Sequence, residues 1–257
     1  MINVVKIGGN VIDDNDALGR FVNDFASLPQ PRILVHGGGK EATAMSARLG
    51  IETKMVDGRR ITDEATLQVV TMVYAGLVNK RIVAMLQAAG VNAIGLCGAD
   101  GRLITSRRRN PEPIDYGYVG DVVEVNVATI KALLEAGFTP VVCAITRGID
   151  PADGLLLNTN ADSVACAVAE GAAQIGPTTM HYCFEKAGVL LDIDNPDSLI
   201  QEITPQVFER LKADGIVHSG MLPKITNAIK ACERGVESVI IQSADALTSG
   251  VGTVVRI

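Results

Sequence analysis

Short apolar segments alternate with longer amphipathic segments along the chain. Val and Ile are concentrated in the segments INVVKIG, RILVHGG, VNAIGLCG, FTPVVCAIT and VESVIIQ, which we predict to be strands. Between them apolar residues recur at helical spacing, which predicts helices over residues 16–28, 40–49, 63–89, 127–136, 161–170 and 221–234. Five glycines follow these helices and are predicted to end them: Gly50, Gly90, Gly137, Gly171 and Gly235. This alternation predicts an α/β fold with an open, mainly parallel central sheet that helices cover on both faces.

Two segments interrupt the alternation. Residues 101–125 alternate polar and apolar positions and contain two prolines, which predicts a β-hairpin outside the main sheet. The segment IDPADGLLLNTNAD contains an Asp-Gly turn before a short strand, which predicts a second hairpin. The sequence has no Pro- or Ser-rich linker and no internal repeat, so we expect one domain over residues 1–257, built from two lobes.

Composition and charge argue against several classes of function. The chain has 257 residues and is 47% hydrophobic, so it can bury a sizeable core. Its 23 basic and 29 acidic residues give a net charge of −6, which argues against nucleic acid or an anionic membrane surface as a partner. The longest uninterrupted apolar runs, such as residues 139–145, are far shorter than a membrane-spanning helix, and no signal-peptide pattern precedes the first strand. We therefore expect a cytoplasmic protein.

The cysteines and histidines do not predict a metal site. The five cysteines are scattered, form no C-x-x-C pair and mostly lie in apolar segments, which is typical of core residues in a cytosolic protein. The three histidines lack the spacing of a zinc site. We therefore expect no metal ligands from the protein side chains.

Glycine-rich loops follow two of the predicted strands. Lys6 lies within the first strand and is followed by Gly8 and Gly9, while residues 37–39 are three consecutive glycines after the second strand. Ligands bind at the carboxyl ends of parallel strands, so we expect the two loops to meet at one edge of the sheet. Exposed backbone N–H groups in such loops typically bind phosphate. The sequence therefore predicts an anion site beside Lys6.

Neither common phosphate-binding loop explains both segments. Lys40 is followed by Glu41 instead of Ser or Thr, and the required earlier glycine is missing, so the P-loop pattern fails. Gly37, Gly39 and Ala42 match the G-x-G-x-x-A pattern of dinucleotide-binding loops, which keeps a Rossmann-type oxidoreductase as an alternative. That alternative leaves the first glycine loop without a role.

Two further segments carry more polar residues than their local structure requires. In LLNTNAD, Asn158, Asn160 and Asp162 flank the start of a predicted helix, although one such residue is enough to cap it. In GMLPKITNA, Pro223 places Lys224 in the first turn of another helix. The positive end of the helix dipole disfavours a lysine there unless the lysine serves an anion.

The segments KIGGN, VHGGGKEAT, DGRRITD, GLCGADG, YVGDV, LNTNADSVA and GMLPKITNA together resemble the N-acetylglutamate kinase members of the amino acid kinase family. The resemblance runs in order over essentially the whole chain. It implies that ATP, bound with Mg²⁺, phosphorylates the side-chain carboxylate of an N-acyl-L-glutamate, in the second step of arginine synthesis. It implies a substrate lobe over about residues 1–157 and a nucleotide lobe over about residues 158–257. It also implies a homodimer that arginine does not inhibit, because arginine-inhibited relatives carry an extra N-terminal helix.

The resemblance further implies a role for each candidate residue. Lys6 and Lys224 would hold phosphoryl oxygens, with Asp162 between their ammonium groups, and Arg60 would bind the α-carboxylate of the substrate with help from Asn158. Four glycines would donate backbone N–H groups to the phosphoryl group and the attacking carboxylate: Gly8, Gly9, Gly38 and Gly39. Four residues would contact the nucleotide: Glu185, Gly188, Gly220 and Met221. A carboxylate nucleophile is already ionised at pH 7, so no general base is expected.

Two positions depart from the family pattern. Glu185, in CFEKAG, stands where relatives have Asp in a TDVxG-like segment, which leaves the nucleotide contacts there open. Arg59 stands where Leu is usual. Its side chain either turns to solvent or meets an acyl group with its own carboxylate, such as succinyl. Another activity of the same family and a non-catalytic amino acid sensor are further hypotheses, but the presence of Lys6, Asp162 and Lys224 argues against the sensor.

Overall fold

The strands of the chain fall into a large sheet, a small barrel and a two-stranded ribbon. The computed structural model describes residues 1–150, 154–192, 195–217 and 221–257. Within these residues the strands are β1 (Ile2–Ile7), β2 (Arg32–His36), β3 (Met55–Val56), β4 (Arg59–Arg60), β5 (Ala93–Leu96), β6 (Ile104–Arg108), β7 (Val119–Val125), β8 (Thr139–Cys143), β9 (Ile145–Gly148), β10 (Leu156–Thr159), β11 (Thr178–Phe184), β12 (Glu202–Ile203), β13 (Ser238–Ser243) and β14 (Thr253–Val255).

Eight strands form the central sheet, in the order β12-β14-β13-β11-β1-β2-β8-β5. Neighbouring strands are parallel except for β14, which is antiparallel to β13. The predicted mainly parallel sheet is confirmed, and the five strands predicted from the Val- and Ile-rich segments all belong to it. Strand β11 was not predicted, although it lies at the centre of the sheet between β1 and β13.

The helices are α1 (Gly9–Asp13), α2 (Asn15–Ser27), α3 (Gly39–Arg48), α4 (Glu64–Thr71), α5 (Asn79–Ala88), α6 (Val127–Glu135), α7 (Ala161–Ala173), α8 (Pro205–Ala213) and α9 (Leu222–Glu233). Short 3₁₀ turns span Asp100–Arg102, Pro196–Ser198 and Ala244–Ala246. Each of the six predicted helical segments contains helix at the expected place. Helices α1 and α8 were not predicted.

A π-helical segment, Met72–Val78, joins α4 and α5 into one continuous helix over residues 64–88. This helix is longer than any of the uninterrupted apolar runs in the sequence. By length and composition alone it could cross a membrane, a criterion that core helices of globular domains also satisfy. Its buried face, which includes Val70, Val78, Ile82 and Leu86, packs in the core beside the central sheet.

Alternate residues of the central strands point to opposite sides of the sheet, as the pleat of a strand requires. Val4 and Val35 belong to a core cluster with residues of α6, α7, α8 and α9. Their neighbours Val5 and Leu34 belong to a second cluster with residues of α1 to α5. Both faces of the sheet are therefore covered by helices, as predicted.

The antiparallel pairing of both predicted hairpins is confirmed, while Asp153 of the predicted Asp-Gly turn lies outside the described residues. Strand β6 pairs antiparallel with β7, and β9 pairs antiparallel with β10. The four strands close into a small barrel, in the order β10-β7-β6-β9, apart from the central sheet. Strands β3 and β4 form a separate antiparallel ribbon, in which Val56 pairs with Arg59 and Met55 pairs with Arg60. The ribbon and the barrel supply two walls of the site described below.

The prediction that Gly171 ends a helix is wrong. Gly171 lies inside α7, which continues to Ala173. A methyl group on Gly171 would lie 3.1 Å from Cγ1 of Val125, so this glycine allows α7 to pack closely on the barrel. The other four predicted helix-ending glycines follow their helices with positive φ angles, between 70° and 102°, as predicted.

Candidate active site

The two glycine loops lie side by side at the carboxyl edge of the central sheet. Strands β1 and β2 are parallel neighbours, and Ile7 pairs with His36 directly before the loops. Helix α1 begins at Gly9 and helix α3 begins at Gly39, so the N-termini of two helices start at this edge. Free N–H groups and the positive end of the helix dipole favour an anion there, more so at the longer helix α3. The structure brings the predicted loops together.

Gly38 has a steric requirement that its neighbour lacks. Its φ angle is +150°, and a Cβ atom built on it would lie 2.9 Å from Cδ1 of Tyr74. A Cβ atom on Gly39 would meet nothing within 4 Å. Tyr74 belongs to the π-helical segment, and the sequence analysis did not identify it as a site residue. The segment therefore supports the second glycine loop from beneath.

His36, at the end of β2, is fully buried and neutral. Its Nδ1 atom lies 2.7 Å from the carbonyl oxygen of Gly37 and its Nε2 atom lies 3.0 Å from Nδ2 of Asn79. The Asn79 amide also donates to the carbonyl oxygen of Val141, at 2.9 Å, so Nε2 accepts and Nδ1 carries the proton. Burial, with a further contribution from nearby Lys80 and Arg81, lowers the pKa of His36 to about 4.

Lys6 and Lys224 share one carboxylate. Nζ of Lys6 lies 2.7 Å from Oδ1 of Asp162, and Nζ of Lys224 lies 2.9 Å from Oδ2. Burial alone would raise the pKa of Asp162, but the charges of the two lysines and their hydrogen bonds outweigh it and lower this pKa to about 2. The three side chains carry one net positive charge. The structure thus brings together three residues that are separated by up to 218 positions in the sequence.

Helix α7 and strand β11 hold this cluster in place. The side chain of Asn160 caps α7 by accepting hydrogen bonds from the backbone N–H groups of Asp162 and Ser163. Asn160 is therefore explained as a cap. The Tyr182 hydroxyl lies 3.3 Å from the backbone carbonyl oxygen of Asp162, and Nζ of Lys224 lies 5.8 Å from the centre of the Tyr182 ring. Tyr182 lies on β11, which the sequence analysis missed.

Arg60 is buried, and it has no carboxylate partner among the described residues. Its guanidinium donates to the carbonyl oxygen of Gly39 and to Oγ1 of Thr43, both at 2.9 Å. It also donates to Oγ1 of Thr53, at 3.1 Å. A buried cation with only neutral partners is unfavourable unless an anion completes its environment. The geometry therefore indicates an anionic ligand beside Arg60.

Asn158 and Arg60 line the same cavity of about 190 Å³, together with Gly38 and Gly39. The Asn158 side chain is buried and donates to Oγ1 of Thr62, at 2.9 Å. Arg59, half-buried beside Arg60 in β4, also lines this cavity. Burial, with a contribution from the charge of nearby Arg109, lowers the pKa of Arg59.

Two further cavities continue from this one. A cavity of about 680 Å³ shares Gly38, Gly39 and Arg60 with it and reaches Lys6 and Glu185. A cavity of about 400 Å³ is lined by Glu185, Gly188, Met221 and Lys224. Because Glu185 borders both of the larger cavities, the three spaces follow one another along the edge of the sheet.

Three of the four predicted nucleotide contacts line the last cavity, and the fourth, Gly220, lies outside the described residues. Packing also favours glycine at position 188, because a Cβ atom there would lie 2.6 Å from Leu199 Cδ1 and 2.7 Å from Thr253 Oγ1. The part of the chain that the structure describes has no group of three or more His, Cys, Asp and Glu side chains that could hold a metal ion.

Comparison with known proteins identifies relatives over the full chain. The chain is 48% identical to an acetylglutamate kinase of Phocaeicola vulgatus over 255 residues, covering 99% of this chain and 98% of the relative. It is 50% identical to an acetylglutamate kinase of Cytophaga hutchinsonii over 245 residues, covering 95% and 92%. The crystal structure of smu.665 from Streptococcus mutans matches with a TM-score of 0.79 and 27% identity, covering 99% of this chain and 98% of that one.

The model of the amino acid kinase family matches residues 1–243, which include both glycine loops, the barrel and the lysine–aspartate cluster. The central sheet, its helices and the neighbouring structures agree with that family's fold. The chain belongs to the amino acid kinase family.

Proposed function

We propose that this chain transfers the γ-phosphoryl group of ATP to the side-chain carboxylate of N-acetyl-L-glutamate, in the second step of arginine synthesis. The names of its relatives support this reaction. The observation that carries the proposal is the buried Arg60 guanidinium, which has only neutral partners in the described residues and lies beside the glycine loops. A dianionic amino acid derivative meets both requirements, with one carboxylate for Arg60 and the other for the loops.

On the substrate side, Arg60 binds the α-carboxylate and Asn158 assists it. The guanidinium is planar and pairs with a carboxylate through two parallel hydrogen bonds. Gly9, Gly38 and Gly39 then bind the side-chain carboxylate and the phosphoryl group through their backbone N–H groups. The predicted N–H donor of Gly8 is already used, because it donates to the carbonyl oxygen of Cys183, at 3.1 Å. The nucleophile is already ionised at pH 7, so the reaction needs no general base. The neutral, hydrogen-bonded state of His36 is consistent with this.

On the phosphoryl side, Lys6 and Lys224 stabilise the charge that develops on the transferred group. Asp162 holds the two ammonium groups close together before the nucleotide arrives, so little reorganisation is needed during the reaction. The pKa of Asp162, lowered to about 2, keeps this carboxylate ionised at any pH near neutrality. One net positive charge remains to attract the triphosphate.

The nucleotide lies along the cavity that Glu185, Gly188, Met221 and Lys224 line. ATP enters with Mg²⁺, which neutralises phosphate charge when bound. We assign no protein side chain to the ion. In this proposal the substrate lobe spans about residues 1–157 and the nucleotide lobe about residues 158–257 of one domain.

We further propose a cytoplasmic homodimer that arginine does not inhibit. The five cysteines are all free thiols and four of them are buried, which suits a reducing compartment. Met72 and Leu77 project from the long helix with 56% and 48% of their surface exposed, which favours burial against a second copy. The net charge of −6 supports neither nucleic acid nor an anionic membrane as a partner.

Trapping of the product tests the reaction. An acyl phosphate reacts with hydroxylamine to give a hydroxamate, whereas a phosphate ester does not. We expect ADP release and hydroxamate in equal amounts when ATP, Mg²⁺ and N-acetyl-L-glutamate are present, and both to form about 10²-fold or more slowly with the Lys224→Ala variant. ADP release without hydroxamate would indicate a hydroxyl acceptor. Binding of N-acetyl-L-glutamate without any ADP release would support an amino acid sensor instead.

A further inference from the structure

Arg59 and Arg60 serve different sides of the substrate cavity. They are consecutive in β4, so their side chains leave the ribbon on opposite faces. Arg60 turns to Gly39 and Thr43. Arg59 lines a cavity together with Arg109 and Asp121 of the barrel, whose charges act on it.

Asp121, the carboxylate whose charge acts on Arg59, already has a partner. Arg109 holds Asp121 in a forked ion pair, with Nη2 2.6 Å from Oδ1 and Nε 3.1 Å from Oδ2. The Arg109 guanidinium also lies 5.7 Å from the centre of the Tyr116 ring, which fixes it from the other side. Within the described residues Arg59 makes no hydrogen bond and no ion pair. Two guanidinium groups therefore face Asp121, and within the described residues the half-buried charge of Arg59 has no ion pair of its own.

Arg59 borders a cavity that Arg60 does not line. Arg59 lines both the 190 Å³ cavity and an adjoining cavity of about 620 Å³. The larger cavity is bounded by Arg109, Asp121 and Glu124 of the barrel hairpin and by residues of α7 and α9. A ligand group that extends from the 190 Å³ cavity past Arg59 therefore has room in the 620 Å³ cavity.

We propose that the acyl site accepts a dicarboxylic acyl group, such as succinyl, whose terminal carboxylate pairs with Arg59. This inference rests on the proposed function, because it places the α-carboxylate on Arg60 and the side-chain carboxylate at the glycine loops. The acyl group then faces the remaining wall of the cavity, which includes Arg59 and Val119. An acetyl methyl group leaves the guanidinium unpaired, whereas a terminal carboxylate accepts two of its hydrogen bonds.

Three substrates distinguish the effect of a charge on the acyl group from the effect of its length. N-acetyl-L-glutamate is short and has a neutral acyl group. N-succinyl-L-glutamate is longer and carries the extra carboxylate, and N-succinamoyl-L-glutamate has the same shape with a neutral amide in its place. We expect kcat/KM for the succinyl substrate to exceed that for the succinamoyl substrate by about 10-fold or more, because a site built for a charged partner rejects the analogue that lacks it.

Two variants assign this preference to Arg59. Arg59→Leu is expected to abolish the preference for succinyl over succinamoyl. Arg107→Leu is the matched control, since Arg107 is an exposed arginine on β6 of the neighbouring barrel hairpin and lines none of the cavities described here. This control is expected to keep the wild-type preference. Calorimetric titration of each variant with N-succinyl-L-glutamate, without nucleotide, provides a readout that does not depend on catalysis.

The outcomes distinguish the two proposals. Equal kcat/KM for succinyl and succinamoyl substrates in the wild type, or a succinyl preference that survives in Arg59→Leu, would overturn the role of Arg59 and leave the kinase assignment intact. If no acylated glutamate releases ADP, the proposed reaction fails. Succinyl binding that weakens only in Arg59→Leu would then still support the carboxylate site.

Discussion

Asn79 donates a hydrogen bond from Nδ2 to Nε2 of His36, across 3.0 Å and 43 positions of sequence. This bond leaves the only proton of the imidazole on Nδ1, which faces the carbonyl oxygen of Gly37. A side chain on the long helix thereby fixes the first peptide of the second glycine loop. The relationship gives the loop a defined conformation before any ligand binds.

Replacement of Asn79 by Leu should destabilise the protein. The change leaves Nε2 of His36 and the carbonyl oxygen of Val141 buried without a donor, so we expect the free energy of unfolding to fall by about 1–3 kcal/mol. Urea denaturation at pH 7 measures this. Asn92→Leu is the control, because the Asn92 amide donates to a carbonyl oxygen at an exposed position. A loss of stability no larger than that of the control would contradict the role given to Asn79.

Stability should decrease below pH 6.5. Burial lowers the pKa of both His36 and His181 to about 4, so between pH 6.5 and 4 the unfolded state binds more protons than the folded state. The free energy of unfolding therefore decreases as the pH is lowered through this range, by about 1.4 kcal/mol per pH unit for each histidine. The lowered pKa of Asp162 acts in a separate window, between pH 3.8 and about 2. Urea midpoints at pH 7, 6 and 5 test the first window, and constant midpoints would show that the histidines remain accessible to protons.

Loss of Lys224 should act on the chemical step. Lys224→Ala removes one of the two charges opposite the transferred group, and we expect kcat to fall by about 10²-fold or more, with a similar effect for Lys6→Ala. KM for the acylated glutamate should change little. Steady-state ADP release measures both constants. Lys212→Ala, which removes an exposed lysine paired with Glu209 on α8, should leave them unchanged. A kcat near the wild-type value in Lys224→Ala would remove this lysine from the phosphoryl site.

Loss of Arg60 should act on substrate binding. Arg60→Ala deletes the guanidinium proposed to hold the α-carboxylate, so KM for the acylated glutamate should rise by about 10-fold or more while KM for ATP stays the same. The same steady-state assay separates the two constants. Arg20→Ala provides the control, because Arg20 is exposed on α2, pairs with Asp245 and lines none of the cavities described above. An increase in KM for ATP alone would contradict this assignment, because it would mean that Arg60 binds the nucleotide and not the acylated glutamate.

The second glycine loop offers a matched pair of substitutions. Gly38→Ala would force a Cβ atom to within 2.9 Å of the Tyr74 ring at a φ angle of +150°, so we expect a loss of about 1–3 kcal/mol in stability. Gly39→Ala adds a methyl group where nothing lies within 4 Å, at the start of α3, and should change the stability of the free protein by less than about 0.5 kcal/mol. Thermal unfolding compares the two. Equal losses would mean that contact with Tyr74 does not restrict this position.

The sequence pattern was sufficient for most of the fold but failed where buried residues are polar. The segment TTMHYCF forms the central strand β11, yet it lacks the Val and Ile that identified the other strands. Thr178, Thr179 and His181 are all buried in this strand, whereas the pattern of polar and apolar residues predicts that they are exposed. Helix α8 did carry a recognisable signal, since Thr204 caps it and a proline occupies its first turn.

The sequence predicted the candidate-site residues that lie in polar or glycine-rich segments. It did not predict the residues of the long helix that pack against the second glycine loop. Lys6, Asp162 and Lys224 each lie in a segment whose polarity or glycine content is unusual for its position. Tyr74 and Asn79 lie within an ordinary apolar helical pattern, and nothing in that pattern marks the π-helical segment. Their contribution depends on a tertiary contact with the glycine loop, which local periodicity does not encode.

The π-helical segment also sets the angular phase of the long helix. In an α-helix each residue advances by about 100°, so Tyr74 and Asn79, five positions apart, would point about 140° away from each other. With the wider turn of a π-helix, at about 4.4 residues per turn, the same five positions bring them within about 50°. Tyr74 can therefore face Gly38 while Asn79 faces His36. If the same residues formed a regular α-helix instead, one of the two supports would turn away from the loop, with no change to any residue that touches a substrate.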